Sequence, residues 1–380
     1  MPATLLAGCF LIYAVASVVD ALKGATLSLV LTETGFSYSL GGGIVTSFYL
    51  GYMAATLAAG IVSDWLGKRA VLLLAAAILA FGMLGLARTE AAAGFIAFSF
   101  VNGFGGGAAV LGGNRLIASL LPDRAGRYLN LLGATFGFVA MLTPHYVAFL
   151  GGLGRSWRDS YAFLAAGALL CLAWFALQSC PGEGAGRASL SRTSAIFRAV
   201  MADRVRWFYL VLLFYVSVEA GVGTWLIEYL VRHRGFPAET GNGCLSLFFG
   251  GIMAGRFLGG LFVERVGRAR SLRLASLASG LCIVLGSFGP GWLVLFLPLS
   301  GLFFSLIFPT ATACVSSASA QNPGAVLGVL FAFASLGGMA GPWLIGLAND
   351  FLGLEWGIRL AAFFSLGLAV SVHFAVKPRR

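Results

Sequence analysis

Long apolar runs separated by short polar segments are the most regular feature of this chain. A helix needs about 20 predominantly apolar residues to cross the roughly 30 Å hydrocarbon layer of a bilayer. The pattern therefore predicts an all-α membrane protein with twelve transmembrane helices. The predicted helices span residues 5–32, 41–63, 70–87, 92–121, 128–151, 160–180, 207–231, 241–263, 271–288, 291–318, 325–348 and 356–376. No basic segment precedes the first run, so we expect that run to be retained as a helix and not cleaved.

The longest polar stretch covers residues 181–206 and divides the chain into halves of similar length. Its cations are Arg187, Arg192, Arg198, Arg204 and Arg206. We expect an N-terminal six-helix bundle over 1–180, a cytoplasmic linker over 181–206 and a C-terminal six-helix bundle over 207–380.

The two halves repeat one another. Residues 60–69 read G-I-V-S-D-W-L-G-K-R, and residues 260–268 read G-L-F-V-E-R-V-G-R. Gly35-Phe36 recurs as Gly235-Phe236 at the same separation. Such a parallel repeat predicts two pseudo-symmetric bundles, related by an axis along the membrane normal, with a central cavity between them.

Composition agrees with a membrane location. The chain is 59% hydrophobic and only 10% charged, whereas soluble domains are about 25% charged. This excludes a soluble enzyme and a disordered chain. The net charge of +11 does not indicate a nucleic-acid partner, because the cations lie in short clusters between apolar runs. The six cysteines have no metal-like spacing, so we expect free thiols, no metal and no cofactor.

The placement of lysine and arginine predicts the orientation. With the N-terminus inside, most cations fall in cytoplasmic segments, as the positive-inside rule requires. Outside the linker these are Lys68, Arg69, Arg124, Arg127, Arg265, Arg268, Arg270, Arg273, Lys377, Arg379 and Arg380. We therefore expect a multi-pass protein of the cell (inner) membrane with both termini cytoplasmic, and a monomer, because the fold needs no partner beyond the bilayer.

Residues 60–69 resemble the signature loop between helices 2 and 3 of the major facilitator superfamily, G-x-x-x-D-x-x-G-[RK]-[RK]. Residues 260–268 resemble its second copy, between helices 8 and 9. A finer similarity, to the fucose:proton symporter family, is carried by residues 215–230, 130–137 and 307–310. The resemblance implies proton-coupled transport by alternating access, and a signature loop that stabilises the outward-facing state and breaks as the halves rock.

Two departures from family patterns bear on the substrate. Sugar-carrying members have an Asn-Pro pair in helix 4 with a glutamate four residues earlier, whereas this chain has Asn114-Arg115 and Val110. That difference argues against transferring hexose specificity to this chain. Helix 5 also lacks the G-x-x-x-G-P-x-x-G-G motif typical of drug antiporters, since the segment around Pro144 reads M-L-T-P-H.

Two carboxylates lie deep within predicted helices. Counted from the cytoplasmic helix ends, Asp20 lies about 22 Å deep and Glu219 about 18 Å deep. Intramembrane acids are costly and usually face a wet cavity or a partner, so both are candidates for proton coupling. The alternative is a structural hydrogen bond between helices. Lys23 is one turn from Asp20, so the two side chains can pair and neutralise each other.

Polar, basic and aromatic side chains within the helices are the candidates for substrate binding. They are Asn102, Asn114, Arg115, His145, Trp225 and Tyr229. Arginine suits bidentate capture of a carboxylate or phosphate, but Arg115 can instead snorkel to the inner surface. The asparagines and the histidine can equally bond between helices, and the two aromatic residues can belong to an interfacial belt.

The gating motif comprises the two signature loops. Its residues are Gly60, Asp64, Gly67, Lys68, Arg69, Gly260, Glu264, Arg265, Gly267 and Arg268. Asp64 can pair with Lys68 or Arg69, or with a helix N-terminus. Arg256 precedes the second loop, and we expect it to support that loop.

These observations predict a secondary active transporter and not an enzyme. The expected substrate is a small polar or amphiphilic solute, sugar-like or an organic anion, moved with a proton bound at Asp20 or Glu219. The alternative is a proton-driven multidrug or lipophile efflux antiporter. A transport-inactive sensor would need an added domain, and a membrane-embedded enzyme would need clustered histidines or paired acids, which the sequence does not offer.

Overall fold

The computed structural model describes residues 2–178, 203–318 and 323–377, and no β-strand occurs within these ranges. Helices form because lipid offers no hydrogen-bond partner to backbone groups, so each spanning segment must satisfy its own. The chain divides into two compact units. Unit 1 comprises Met1–Phe36 and Ser47–Ala188, and unit 2 comprises Ser37–Thr46 and Ser189–Arg380.

Six helices precede the predicted linker. They are α1 (Pro2–Thr34), α2 (Tyr38–Leu66), α3 (Lys68–Arg88), α4 (Ala92–Leu120), α5 (Ala125–Gly152) and α6 (Trp157–Ala176). A short 3-10 turn, Pro122–Arg124, precedes α5. The first turns of α2 belong to unit 2, and the rest of this helix belongs to unit 1.

Six further helices follow the linker. They are α7 (Asp203–Glu228), α8 (Ala238–Val266), α9 (Arg268–Phe288), α10, α11 (Pro323–Leu352) and α12 (Leu354–Ala375). Helix α7 continues into a π-helical turn, Tyr229–His233. Helix α10 has two segments, Phe296–Phe304 and Ile307–Ala318, after a 3-10 turn at Gly291–Leu295.

The observed helices match the twelve predicted from hydropathy to within a few residues at most ends. Eleven stretches of the described chain are long and apolar enough to cross a membrane. Helix α8 is not among them, and it carries Glu239, Asn242 and Arg256 along its length. The all-α membrane fold is confirmed.

The two units share one packing scheme. In unit 1, α1 packs on α5 and α6, and α3 packs on α4 and α6. In unit 2, α7 packs on α11 and α12, and α9 packs on α10 and α12. The internal repeat that the sequence predicts is therefore present in the arrangement of the helices.

The closest backbone approaches repeat as well. A Cβ placed on Gly103 in α4 would lie 1.8 Å from the Phe48 carbonyl oxygen in α2. A Cβ placed on Gly301 in α10 would lie 2.1 Å from the Phe248 carbonyl oxygen in α8. Only glycine allows these backbones to touch, which is the usual role of small residues between membrane helices.

Glycines with positive φ mark equivalent loops. Gly67 ends the α2–α3 loop with φ of 83°, and Gly267 ends the α8–α9 loop with φ of 87°. Residues with a side chain rarely adopt this conformation. The glycine that precedes the first basic residue after each of these helices, Lys68 or Arg268, therefore makes the tight turn that brings consecutive helices together.

The first turns of α2 are bound to α11 within unit 2. The Asp350 carboxylate accepts hydrogen bonds from the backbone N–H of Tyr38 at 2.8 Å and of Ser39 at 2.7 Å. Further along, the Thr46 hydroxyl donates to the Met339 carbonyl oxygen at 2.8 Å. Asp350 thus satisfies two N-terminal donors that a helix cannot bond internally.

The predicted domain boundaries at 180 and 207 stay a prediction. Residues 179–202, which include most of the expected linker and Cys180, lie outside the described residues. The assignment of Ser37–Thr46 to unit 2 is a feature that the sequence division did not anticipate.

Candidate functional site

Asp20 lies on α1, about midway along the helix, and forms an ion pair with Lys23. The spacing of three residues places the two side chains on neighbouring positions of one face. The Lys23 side chain is 11% exposed and that of Asp20 is 27% exposed. The pair predicted from the sequence is therefore present, and the acid is its more accessible member.

Aromatic rings from α2 cover the ammonium group. The Lys23 Nζ atom lies 3.4 Å from the ring centroid of Phe48 and 4.2 Å from that of Tyr49. Both distances are well inside the range of a cation–π interaction. The Tyr52 hydroxyl also interacts electrostatically with Asp20 and Tyr13. Within unit 1, Asp20 and Lys23 thus lie in a polar pocket with aromatic walls.

Unit 2 contains a second polar cluster. The hydroxyl of Tyr215 on α7 interacts with Glu219, one turn further along, and with Arg256 on α8. Tyr215 is 1% exposed and packs edge-on against Phe304 of α10 at 5.8 Å between ring centroids. Glu219 and Arg256 are half-buried. The structure thus brings Arg256 to the predicted proton site, a contact between two helices that the sequence pattern does not indicate.

Trp225 and Tyr229 lie inside unit 2, each 1% exposed. The Trp225 indole N–H donates to the Pro342 carbonyl oxygen on α11 at 2.9 Å. Its ring meets that of Tyr38 at 5.7 Å between centroids, and Tyr229 stacks on His233 at 5.3 Å. Both rings therefore pack between helices, and their role in substrate binding stays a prediction.

The predicted polar residues of α4 and α5 are dispersed. Asn102 is 1% exposed and faces α3, because a Cβ on Gly82 would lie 2.7 Å from its Oδ1 atom. Asn114 and Arg115 are half-buried, and Arg115 takes part in an electrostatic or hydrogen-bond contact. His145 is exposed on α5. Only Arg115 and Asn114 are adjacent, and the four residues do not form one cluster around Asp20 in the described contacts.

The basic residues of the signature loops bind helix ends. Arg69 donates from Nε to the Phe175 carbonyl oxygen at 3.0 Å and from Nη2 to that of Ala176 at 2.8 Å, at the end of α6. In unit 2, Arg273 donates to the Val376 carbonyl oxygen at 3.0 Å, just after α12. Cations at helix C-termini are stabilising. The first loop is therefore fastened to the last helix of unit 1, and in unit 2 the first turns of α9, just after the second loop, are bound to the end of α12.

Among the other members of the predicted gating motif, Arg268 makes a side-chain hydrogen bond. Arg268 donates to the Ser317 hydroxyl at 2.7 Å, Lys68 is half-buried, and Glu264 and Arg265 are exposed. Gly60 lies on α2 and Gly260 on α8, and the side chain of Asp64 lies outside the described part of the structure. The gating role of the loops stays a prediction.

No cluster of three or more metal-binding side chains is found in the described ranges. The cysteines at 9, 171, 244 and 282 are buried and free, and Cys314 is free and half-buried. The predicted proton-coupling residues Asp20 and Glu219 are two separate carboxylates, each close to a cation and a tyrosine.

Comparison with known proteins identifies the family. The family model of the Major Facilitator Superfamily matches residues 9–251 and 238–380. The L-fucose-proton symporter of Escherichia coli is 25% identical over 358 residues, covering 82% of this chain and 78% of that protein. The uncharacterized MFS-type transporter YfiU of Bacillus subtilis is 28% identical over 143 residues, which are 36% of this chain and only 28% of YfiU.

The fold agrees with this assignment. A crystal structure of a point mutant of the nucleoside transporter NupG superposes with a TM-score of 0.83 at 14% identity, covering 98% of this chain and 100% of that one. The family match spans nearly the whole sequence, and the twelve helices repeat in two units. The chain belongs to the Major Facilitator Superfamily, and its fold is that of a multi-pass membrane protein.

Proposed function

We propose that this protein is a proton-coupled secondary transporter that moves a small polar solute, sugar-like or an organic anion, by alternating access. The observation that carries the proposal is the equivalence of Asp20 and Glu219. Each lies within the first helix of its half, and the separation of 199 residues between them is one less than the 200 that separate Gly35 from Gly235. Each is incompletely buried and close to a cation and a tyrosine hydroxyl.

A carboxylate in this setting is suited to carrying a proton. A buried acid without a partner would remain protonated, and a fully solvated one would remain ionised. Asp20 and Glu219 are each half-buried and close to a cation and a tyrosine hydroxyl, so neither acid is fully solvated and neither lacks a partner. A carboxylate that both water and a charged partner can reach is suited to binding and releasing a proton during a transport cycle.

The relatives support a polar substrate. The name of the Escherichia coli relative is L-fucose-proton symporter, and the NupG structure is that of a nucleoside transporter. The ammonium, guanidinium and tyrosine groups near the two acids are hydrogen-bond donors to oxygen-rich solutes. We further propose that the protein works as a monomer in the cell membrane, with both termini in the cytoplasm, as the lysine and arginine distribution favours.

The substrate class is testable with purified protein. A thermal-shift screen against sugars, organic anions, lipids and lipophilic drugs reports which class binds the folded state, because a ligand that binds only that state raises its stability. Stabilisation by sugars or organic anions supports the proposal. Stabilisation by lipophilic drugs alone would favour multidrug efflux instead.

Coupling is then tested in proteoliposomes with an imposed proton gradient. We expect Asp20→Asn and Glu219→Gln to abolish uphill accumulation of the stabilising solute while exchange of labelled solute across the membrane persists. The matched control is Glu355→Gln, which removes a carboxylate that is paired with Arg359 near the start of α12. Wild-type accumulation in both site variants would contradict the proton-coupling role.

A further inference from the structure

Lys23 is an unusual group to find in the middle of a membrane helix. Its ammonium is covered on one side by the rings of Phe48 and Tyr49, at 3.4 and 4.2 Å, and contacts Asp20 on another. The proposed function assigns a proton to Asp20 and treats Lys23 only as the partner of that acid and as one hydrogen-bond donor among several. An isolated buried cation is costly, so its charge has to be balanced in every state of the transport cycle.

We propose that Lys23 is the substrate-binding cation of this transporter and that its ligand is a small organic anion, a hydroxylated monocarboxylate. In the unloaded state the Asp20 carboxylate neutralises Lys23. When a carboxylate oxygen of Asp20 takes a proton from water, the acid becomes neutral, while Lys23 keeps all three of its ammonium protons. The substrate carboxylate then replaces Asp20 as the partner of Lys23.

This exchange couples the proton to the anion. Protonation of Asp20 changes the charge of the Asp20–Lys23 pair from zero to plus one. A positive pair attracts an anion electrostatically but adds no such attraction for a neutral solute. Linkage is reciprocal, so a bound anion equally favours the protonated acid. One proton and one monocarboxylate together carry no net charge, so the loaded pair remains neutral. The proposal rests on the proposed function, because it requires Asp20 to be a proton site.

The surroundings fit an anion better than a cation. Around the pair, α1 supplies Tyr13 and α2 supplies Tyr49 and Tyr52. The charged or titratable side chains of the helices packed on α1 are Lys68, Arg69 and Arg88 on α3, Arg115 on α4, Arg127, Tyr128, His145 and Tyr146 on α5, and Arg158, Asp159, Tyr161 and Cys171 on α6. Cations dominate this set, and Asp159 is engaged in capping the start of α6.

Several of those groups already have partners elsewhere. Tyr161 is bonded to the Thr26 hydroxyl at 3.1 Å, and Tyr146 donates to the Ser160 carbonyl oxygen at 3.2 Å. Arg158 pairs with Glu33 near the end of α1. Lys23 contacts Asp20 directly, and the tyrosine hydroxyls beside it can bond to hydroxyl groups on the solute.

The test uses matched pairs of probes that differ in one carboxylate. D-gluconate is compared with sorbitol, and D-galacturonate with D-galactose, by thermal shift and by binding calorimetry on the purified full-length protein. We expect at least one sugar acid to bind wild type about tenfold or more tightly than its neutral counterpart, a coupling within the usual range. Equal or tighter binding of the neutral members, or no binding of either acid, would overturn the proposal.

Three variants separate binding from structure. Lys23→Met should lose the preference for the acid, and Lys23→Arg should keep it, because the cation is retained. Asp20→Asn imitates the protonated acid, so it should bind the sugar acid at least as tightly as wild type. If the ion pair were only structural, Asp20→Asn and Lys23→Met would weaken acid binding alike, and that result would overturn the proposal.

The outcomes for the two proposals are distinguishable. Uphill accumulation by Asp20→Asn would refute proton coupling at this acid, whatever its ligand. Normal proton coupling together with a Lys23→Met variant that still prefers the acid would refute only the role of Lys23. Size-exclusion profiles and melting temperatures without ligand show whether each variant is folded.

Discussion

Replacing Gly337 with alanine should separate two helices of unit 2. A Cβ at this position of α11 would lie 2.1 Å from the Leu213 carbonyl oxygen on α7 and 3.1 Å from the Ser217 backbone nitrogen. Ordinary Cβ contacts begin near 3.4 Å. Because backbone atoms cannot rotate away as a flexible side chain can, α11 must move outward by about 1 Å to accommodate the methyl group.

That displacement lowers the stability of the protein because it separates atoms that are packed in the wild type. A gap of about 1 Å forfeits roughly a quarter to a half of the dispersion attraction between the atoms it separates. Overpacking of this kind typically costs about 1–3 kcal/mol. Alanine recovers about 1 kcal/mol through its higher helix propensity. We therefore expect Gly337→Ala to destabilise the protein by about 0–2 kcal/mol, the difference between these terms.

The matched control is Gly328→Ala, nine residues earlier on the same helix. A Cβ there would meet nothing within 4 Å, so only the propensity gain remains and the variant should be neutral or slightly stabilised. The assay is thermal unfolding in detergent, followed by intrinsic tryptophan fluorescence. Equal melting temperatures for the two variants would refute the close packing of α7 on α11.

Two further predictions concern contacts within unit 2. Trp225→Phe removes the indole donor to the Pro342 carbonyl oxygen and should lower the free energy of unfolding by about 1 kcal/mol. The control, Trp292→Phe, changes a residue that is 70% exposed and should leave the free energy of unfolding unchanged. Equal effects of the two variants in the same unfolding assay would contradict the buried hydrogen bond. Asp350→Ala removes the cap from the start of α2 and should cost about 1 kcal/mol, and Asp350→Asn should recover at most part of that loss, because its amide keeps one acceptor oxygen and turns an NH2 group toward the other N–H. A melting temperature of Asp350→Ala equal to that of wild type would show that the capping assignment is wrong.

Much of the fold was predictable because each spanning helix is encoded locally. Apolar length alone gives the twelve segments, and the repeated glycines at 67 and 267 give equivalent turns. Helix ends were harder to predict. The sequence extends the sixth helix to residue 180, but α6 ends at Ala176. Helix α10 is interrupted after Phe304, a break that hydropathy does not record because both segments are apolar.

The candidate site was predictable only where its members lie on one helix. The Asp20–Lys23 pair follows from spacing of three residues, and the Tyr215–Glu219 contact follows equally from spacing of four, although only the former was expected. The contacts of Phe48 with Lys23 and of Arg256 with Tyr215 join different helices. They depend on the rotation and depth of each helix, which hydropathy does not specify.

The central claim is that the acids on α1 and α7 bind and release the protons that drive solute movement. Its most direct test is the simultaneous measurement of proton and solute entry into proteoliposomes, with a trapped pH-sensitive dye and a labelled solute chosen by the thermal-shift screen. We predict that solute entry acidifies the lumen in wild type and in Glu355→Gln, and that Asp20→Asn and Glu219→Gln each abolish this acidification. Solute-driven acidification that persists unchanged in both site variants would contradict the account.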